Sequence, residues 1–547
     1  MKPLRVASVL TIVACLAGAA LRADPGEPGR SAAGAPAKPA AARPAVSGPG
    51  LLSWAELDVL GRCGESYPPG LKARMDKILE TPFRGGAIRR PAAPKSSPEL
   101  GPFVRAAMWN IERGLNFDAV AAALADPGKL AALLDPKECP PGSAARREAL
   151  EQAALLREAD ILVLNEADWG MKRTKYRFVA EDLARLLGME FAYAVEFLEV
   201  DPIALGTETF EGMDSAERER LRREIAVDRS RYRGLHGTAV LSRFPIRKAE
   251  ILRLPQVYDW YAGEKRPVSL PEKAKRSTSE KVFLETVLRE VRRGGRNCLR
   301  VDLEVAGLPG KTVTVLATHL ENKCKPEKRR SQVYSLLTHY LDIPHPVILA
   351  GDMNTTGSDG TPTSISREVK RRVGSAEFWT TQGVKYATGV GILFDLISGG
   401  VRLLKNQYDP TSRHVPVFAP NPEAAFFDTL RDMRFDDGGA FDFRGDAGRT
   451  VNGTAGKLAN SNMRQGKGFV PTFEVERTIG ALGRLKLDWF FVKGFARDPD
   501  RAAEPYRFAP HFPRTLKALN EAVPEDISDH CPITVDLPLA EPGSLVP

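Results

Sequence analysis

The sequence predicts a mixed α/β (α+β) chain whose sheets stack as a layered sandwich, and two observations carry that prediction. Apolar runs of strand length recur between residues 104 and 537 with few helical segments between them, which suits packed sheets better than a simple doubly wound sheet. Several of these runs also end on chemically active side chains. They read Met108-Trp109-Asn110-Ile111-Glu112, Leu164-Asn165-Glu166-Ala167-Asp168, Ala317-Thr318-His319-Leu320-Glu321, Ala350-Gly351-Asp352-Met353-Asn354, Leu487-Asp488-Trp489-Phe490-Phe491 and Ile527-Ser528-Asp529-His530-Cys531. A carboxylate or imidazole beside a core is costly unless it is paired or holds a metal. Repeated placement at strand ends therefore predicts one shared cleft.

In chain order, residues 1–23 read as an export signal, with Lys2 and Arg5 ahead of an apolar stretch from Val6 to Ala20. That stretch is too short and too rich in Ala and Gly for a permanent membrane span. Ile12-Val13-Ala14-Cys15 resembles a bacterial lipoprotein box, which implies lipidation of Cys15; cleavage after Ala19 or Ala20 is the competing reading. Both readings predict an exported chain, either a cell-envelope lipoprotein or a secreted protein. Residues 24–50, almost wholly Ala, Pro, Gly and Ser, predict an extended tether.

Residues 51–100 read as a short helical N-terminal extension: Ser53-Trp54-Ala55-Glu56 fits a capping box, and Leu71 to Leu79 is a second helical stretch. Residues 101–540 then read as one catalytic domain. Its pattern predicts strands over 104–111, 161–165, 191–197, 238–242, 299–305, 312–318, 347–350, 487–492 and 533–537, with helices over 147–159 and 178–187. Two insertions interrupt it, near 255–296 with the arginine-dense run Arg289 to Arg296, and near 384–470 with a Gly/Asn/Arg/Lys-rich stretch from Gly438 to Gly468. Both read as solvated loops, or as basic lids over an anionic substrate.

The 547 residues, 43% of them apolar, can bury one large core or two moderate ones, and the motif spacing favours a single catalytic domain. A net charge of +9 favours an anionic partner: nucleic acid, phospholipid or a phosphorylated small molecule. Beyond Cys15 there remain Cys63, Cys139, Cys298, Cys324 and Cys531, an odd number that excludes a complete disulfide framework. Cys531 reads as a small apolar strand residue. The chain lacks G-x-x-x-x-G-K-[ST], H-E-x-x-H and G-x-S-x-G, which argues against a nucleotide triphosphatase, a zinc protease and an α/β-hydrolase.

The ordered motifs, above all G-D-x-N at 351–354, L-D-W-F-F at 487–491 and S-D-H-C-P at 528–532, resemble the endonuclease/exonuclease/phosphatase superfamily. Its members include deoxyribonuclease I, abasic-site endonucleases, neutral sphingomyelinases and inositol polyphosphate 5-phosphatases. Gly237 to Ile246 is similar to the family's G-x-A-x-L-S-R-x-P-I segment, and the resemblance spans residues 103–539. It implies a four-layer α/β/β/α sandwich and a metal-dependent phosphoric ester hydrolase.

By the same resemblance Glu166 is the principal ligand of a divalent ion, with Asn110 beside it and Asp529 completing the site. Hard oxygen ligands suit Mg²⁺, with Mn²⁺ as a substitute. His530 contacts the scissile phosphate or takes a proton from water, oriented by Asp488, while Asp352 positions or deprotonates that water, so the general-base role stays shared. Asn354 donates to a phosphate oxygen. His319 stabilises charge on the phosphorane or helps the leaving oxygen depart, with Glu196 as its candidate carboxylate partner. The histidine there, where abasic-site endonucleases carry tyrosine, argues against abasic-site repair.

Arg173 and Arg243 are assigned to the substrate phosphate, with Arg329 and Arg330 as further candidates; surface salt bridges are the alternative for all four. His236, His339, His345, His414 and His511 read as structural, and Asp168 as a strand-end cap. The function so implied is phosphodiester hydrolysis, with nucleic acid ahead of phospholipid or inositol phosphate. The alternatives are a lipid or inositol-phosphate phosphoesterase and a non-catalytic binding protein on the same fold.

Overall fold

Alternation along Gly101–Asn110 shows how the layers arise: Ala106 and Met108 face one apolar cluster, while Ala107 and Trp109 face another. A strand buried on both faces in this way must lie between two layers. The computed structural model describes residues 46–88, 95–200, 227–265, 291–355, 408–415, 420–479, 482–494, 507–524 and 526–540. The expected leader, Cys15 and most of the tether lie outside these residues, as do 266–290 and 384–407 of the two expected insertions. Among the described residues no helix is long and apolar enough to cross a membrane.

Two large sheets form the centre. The nine-stranded sheet holds β1 (Phe83–Gly86), β2 (Lys95–Ser97), β3 (Gly101–Asn110), β4 (Ile161–Trp169), β5 (Glu190–Glu199), β6 (Leu235–Ser242), β8 (Arg292–Gly294), β17 (His511–Thr515) and β18 (Ile533–Pro538). Its order is β1-β5-β6-β4-β3-β18-β17, with β2 on β3 and β8 on β5. The five-stranded sheet holds β7 (Ile246–Arg253), β9 (Asn297–Glu304), β10 (Thr312–His319), β11 (Val347–Asp352) and β16 (Asp488–Lys493), in the order β16-β11-β10-β9-β7. Two short ribbons, β12 (Arg464–Gln465) with β13 (Gly468–Phe469) and β14 (Phe473–Ile479) with β15 (Leu482–Leu485), lie outside both sheets.

The sheets pack face to face through Met108, Val163, Val240, Val301, Val315, Ile348, Phe490 and Val535. The outer face of the nine-stranded sheet is covered by α1 (Trp54–Arg62), α2 (Leu71–Glu80), α3 (Phe117–Ala125), α4 (Pro127–Leu133), α5 (Ala144–Arg157) and α6 (Val179–Leu187), which bury residues such as Ile78, Val120, Leu156 and Leu183 against Trp109 and Tyr193. The short α7 (Trp260–Lys265) precedes β8. On the outer face of the five-stranded sheet, α8 (Pro326–His339) and α9 (Ala424–Asp432) pack Leu336, Phe427 and Leu430 against Leu349, Trp489 and Phe491. The short α10 (Lys517–Asn520) completes the first helical layer through Leu519. The architecture is a four-layer α/β/β/α sandwich.

The predicted strands all form, most of them extended by one to four residues. The capping box on α1 also forms: Glu56 N donates to Ser53 Oγ, and Ser53 N donates to Glu56 Oε2 at 2.8 Å. Residues 51–100 supply the two expected helices and, in addition, β1 and β2, which join the large sheet. Strand β7 escaped the pattern because Arg247-Lys248 and Glu250 make an edge strand look like a polar loop.

Two expectations need correction. Arg289 to Arg296 is not a solvated lid where it is described: Arg292, Arg293 and Arg296 are buried, and β8 is hydrogen-bonded to β5. Nor is Gly438 to Gly468 a solvated loop, because Phe441, Phe443 and Leu458 pack on the outer face of the five-stranded sheet. There the buried Asn462 amide accepts from Phe490 N at 3.1 Å and donates to Phe490 O at 2.9 Å, satisfying the edge of β16 as a neighbouring strand would. The described cysteines are all free thiols. Burial pushes the Cys531 thiol well above its ordinary range, in keeping with a packing role.

Candidate active site

Two parallel strand pairs point their carboxyl ends at one place. β3 and β4 run parallel with Asn110 opposite Asn165, and β10 and β11 run parallel with His319 opposite Asp352. The antiparallel β16 sets Asp488 opposite Asp352 on the other side. His530 arrives from the loop before β18, tied to β3 by Trp109 Nε1 donating to its carbonyl at 2.8 Å and by Ser528 Oγ donating to Asn110 O at 2.8 Å.

Backbone irregularity aims several of these side chains. The β4–β6 register shifts between Leu164 and Ala167, a bulge containing Asn165 and Glu166, and a second shift between Val195 and Phe197 contains Glu196. Glu166, Asn354 and Glu112 have φ of 53°, 49° and 46°, a left-handed region that L-residues adopt only when their surroundings hold them there. Gly351 explains the first letter of G-D-x-N: a Cβ there would lie 1.7 Å from Thr318 O, so any side chain would force β10 and β11 apart.

Two imidazoles face Asp352. His530 Nε2 lies 3.7 Å from Asp352 Oδ2, and its Nδ1 is bonded to Asp488 Oδ2 at 2.8 Å. Burial works to lower the His530 pKa, but the carboxylates of Asp488, Asp529 and Asp352 outweigh it and hold the group well above its ordinary range. His319 Nε2 lies 3.5 Å from the same Asp352 oxygen. Burial, joined by Arg296 and the other nearby cations, holds His319 well below its ordinary range. Asp352 itself is pushed up to about 7 by burial and by Asp488, against the pull of His530 and the Asn354 N–H.

Next to this pair of imidazoles lies an acidic group. Asn110 Nδ2 donates to Asp352 Oδ2 at 3.2 Å and to Glu166 Oε1 at 3.4 Å, while Asn110 Oδ1 accepts from Glu112 N at 3.2 Å. Burial raises Glu166, but Arg113, His236 and His530 outweigh it, so its carboxyl stays ionised. Burial and Asp529 push Glu112 up to about 8, and burial with Glu166 raises Asp529. Crowded carboxylates that raise one another are what a divalent cation would relieve, and carboxylate and amide oxygens are the donors such a hard ion takes. The residues therefore fit a divalent ion. Asp352, Asp488 and His530 also bring one ligand atom each within 4.8 Å of one another, with His530 Nδ1 hydrogen-bonded to Asp488 Oδ2.

Of the residues singled out from the sequence, Asn110, Glu166, His319, Asp352, Asn354, Asp488, Asp529 and His530 thus gather in one region. Asn354 Nδ2 donates to Leu320 O at 2.9 Å and its backbone N donates to Asp352 Oδ1 at 2.9 Å. The arginines do not behave as assigned. Arg173 donates to Asp168 at 2.7 Å and 3.1 Å and to Glu199 at 3.0 Å, a partly buried ion network that also holds His236 Nδ1 at 2.9 Å from Asp168. Arg243 donates to the carbonyls of Ala159 and Arg157, at the opposite end of β4 and β6 from Glu166. Arg329 is buried against Glu423, and Arg330 donates to Thr429 Oγ1.

Glu112 and Asn165, inside the motifs at 108–112 and 164–168, join the site although their residue types alone did not single them out. So does Arg296, which reaches His319 Nδ1 at 2.7 Å and Glu196 Oε2 at 2.7 Å; Glu196 itself is 3.8 Å from His319, with the arginine bonded to both. Nothing in the arginine-dense run marked that one residue.

A family model described as the Endonuclease/Exonuclease/phosphatase family matches residues 109–530. A search of curated proteins finds no match. Among solved structures, an endonuclease/exonuclease/phosphatase from Beutenbergia cavernae DSM 12333 is similar at 16% identity, covering 80% of this chain and 72% of that one with a TM-score of 0.34. A 3'-5' exonuclease from Neisseria meningitidis is similar at 14% identity over 79% of this chain and 99% of its own, also with a TM-score of 0.34. The human Nocturnin catalytic domain is similar at 12% identity over 80% and 93% of the two chains, with a TM-score of 0.31.

Proposed function

Because this chain belongs to the endonuclease/exonuclease/phosphatase family, whose members hydrolyse phosphate esters and generally depend on divalent metal, we propose that it is a Mg²⁺-dependent phosphodiesterase acting on nucleic acid. The observation that carries the reading is the convergence of His530, paired with Asp488, and Asp352 beside the carboxylates of Glu166, Glu112 and Asp529. Glu166, Asn110 and Asp529 would hold the ion, with Glu112 at the same acidic edge. A bound divalent ion supplies charge neutralisation at the phosphoryl oxygens and leaving group.

Asp352, with its pKa near 7, suits the general base that takes a proton from the attacking water. His530, raised and oriented by Asp488, suits a cationic contact to a phosphoryl oxygen instead, which divides the two roles the sequence left shared. Asn110 and the Asn354 backbone N–H hold the Asp352 carboxylate in place. His319 would face developing charge from the other side. The net charge of +9 favours an anionic substrate, and nucleic acid stands ahead of phospholipid or inositol phosphate in this proposal. Export through residues 1–23, with anchoring at Cys15 and a tether over 24–50, belongs to the same proposal, and the mass of the mature N-terminus tests it.

The test is hydrolysis of duplex and single-stranded DNA, RNA, sphingomyelin, inositol phosphates and a generic phosphodiester, with Mg²⁺ and with chelator. Chelator-sensitive cleavage of nucleic acid supports the reading, and preference for a lipid or inositol phosphate reassigns the substrate. No turnover on any of them sinks the enzymatic reading in favour of a binding protein. Glu166→Gln should raise the Mg²⁺ concentration needed for half-maximal rate by about 10-fold or more; an unshifted Mg²⁺ titration would remove Glu166 as a ligand.

A further inference from the structure

We propose that Arg296 is the positioning residue for His319: it fixes that imidazole as the neutral Nε2–H tautomer, so that His319 serves the phosphoryl group as a hydrogen-bond donor and never as a proton donor. The inference rests on the phosphoesterase reading for the role of His319, but not for the tautomer.

A guanidinium has only N–H donors, so the nitrogen facing Arg296 Nη1 at 2.7 Å must present a lone pair. That nitrogen is His319 Nδ1, which leaves the proton on Nε2, the atom facing Asp352 Oδ2 at 3.5 Å. An imidazolium would set an N–H against an N–H at the same 2.7 Å. Two donors cannot share that separation, so protonating His319 requires Arg296 to leave. The arginine is not placed to leave. Its side chain is 3% exposed, bonded to Glu196 Oε2 at 2.7 Å, near Glu321 at 3.6 Å and over the Phe197 ring at 5.2 Å.

The anchor is itself built into the sheet. Glu196 Oε1 accepts from Thr238 Oγ1 at 2.6 Å, Thr238 Oγ1 accepts from Asn165 Nδ2 at 2.8 Å, and Asn165 Oδ1 accepts from Asp352 N at 2.7 Å. Two runs of donors therefore meet at the Glu196 carboxylate: one comes from the Asp352 backbone through Asn165 and Thr238, and the other is Arg296, which donates both to Glu196 and to His319 Nδ1, while His319 Nε2 faces the Asp352 side chain. Glu196 accepts at both oxygens, one from Thr238 and one from Arg296, and the Glu196 bulge and the Asn165 bulge put two members of the network in place. A cation donating to Nδ1 also withdraws density from the ring and strengthens the Nε2–H as a donor. The depressed pKa of His319 agrees with this arrangement.

The experiment is nitrogen NMR of the full-length protein carrying ¹⁵N-histidine at neutral pH, with the His319 signal identified by its loss in His319→Gln. The expected pattern is a neutral ring protonated at Nε2. A Nδ1–H tautomer or an imidazolium would overturn the proposal whatever the protein hydrolyses. Arg296→Lys, which keeps a donor, should retain the tautomer, whereas Arg296→Met, folded by circular dichroism, should lose it and lower kcat with KM little changed. A folded Arg296→Met protein with the wild-type His319 signal would equally overturn it. If Arg296→Met does not fold, the wild-type and Arg296→Lys spectra still decide. A correct tautomer in a protein without turnover would leave the Arg296 assignment standing and sink the phosphoesterase reading alone.

Discussion

His530 and His319 approach the same Asp352 oxygen, from 3.7 Å and 3.5 Å, yet they are built to different protonation states. His530 comes from the nine-stranded side with a carboxylate, Asp488, on its Nδ1. His319 ends β10 of the five-stranded sheet with a guanidinium, Arg296, on its Nδ1. Both rings are buried, and burial alone would leave both neutral. The difference teaches that the atom behind each imidazole sets what the atom in front of it can offer: a cation at His530, a neutral N–H at His319.

The largest expected effect separates the two rings directly. His530→Ala, which removes a cationic contact to developing charge, should lower kcat by at least about 10²–10³-fold, and His319→Ala, which removes a neutral donor, by no more than that range. A His319 variant consistently more damaged than the His530 variant would break the comparison as drawn.

The pH profile sharpens it. If Asp352 is the base, the rate is lost as pH falls below about 7, because the Asp352 carboxylate then takes up its proton. The rate is lost again on the alkaline side, where His530 gives up the proton that its carboxylate neighbours hold well above the ordinary histidine range. Asp488→Asn removes a charge that raises both groups, so both limbs should move to lower pH. His319→Gln should leave two limbs in place, since a ring already neutral has no proton to lose there. A limb that vanishes in His319→Gln would assign it to the wrong histidine here.

The smallest effects concern arginines that touch neither ring. Arg173→Ala strips Asp168 and Glu199 of a partly buried cation and should cost about 3 kcal/mol of stability, read by denaturant unfolding, with most of kcat retained. Arg243→Ala, at the far end of the sheet, should leave both KM and kcat within about twofold, on the scale of substitutions away from a special site. A KM for substrate that rises tenfold or more in Arg243→Ala would restore it to the binding surface.

Local physics made much of this legible before any folding. A strand that ends beside a core exposes the cost of its last polar residue, so Asn110, Glu166, His319, Asp352, Asp488 and His530 stood out together, by repetition, and the family resemblance gave each its role. Continuous apolar runs of strand length likewise announced the packed strands. Edge strand β7 and helix α8 did not stand out, because charged residues on their exposed sides hide a pattern that only one buried face sustains. Glu112 lay in a quoted motif but needed the left-handed turn at 112–113 to bring it to Asp529.

What the residues determined by themselves was which groups would sit at strand ends, and so the class of chemistry. What only the tertiary structure decided was who stands behind whom. Arg296, Arg173 and Arg243 are equivalent as sequence, each a cation beside a strand. Sheet register sends the first to an imidazole, brings Glu199 to the second beside its local partner Asp168, and sends the third to backbone carbonyls at the opposite end. Pairing across strands more than twenty residues apart depends on bulges and register, and a charge carries no mark of its partner until those are formed.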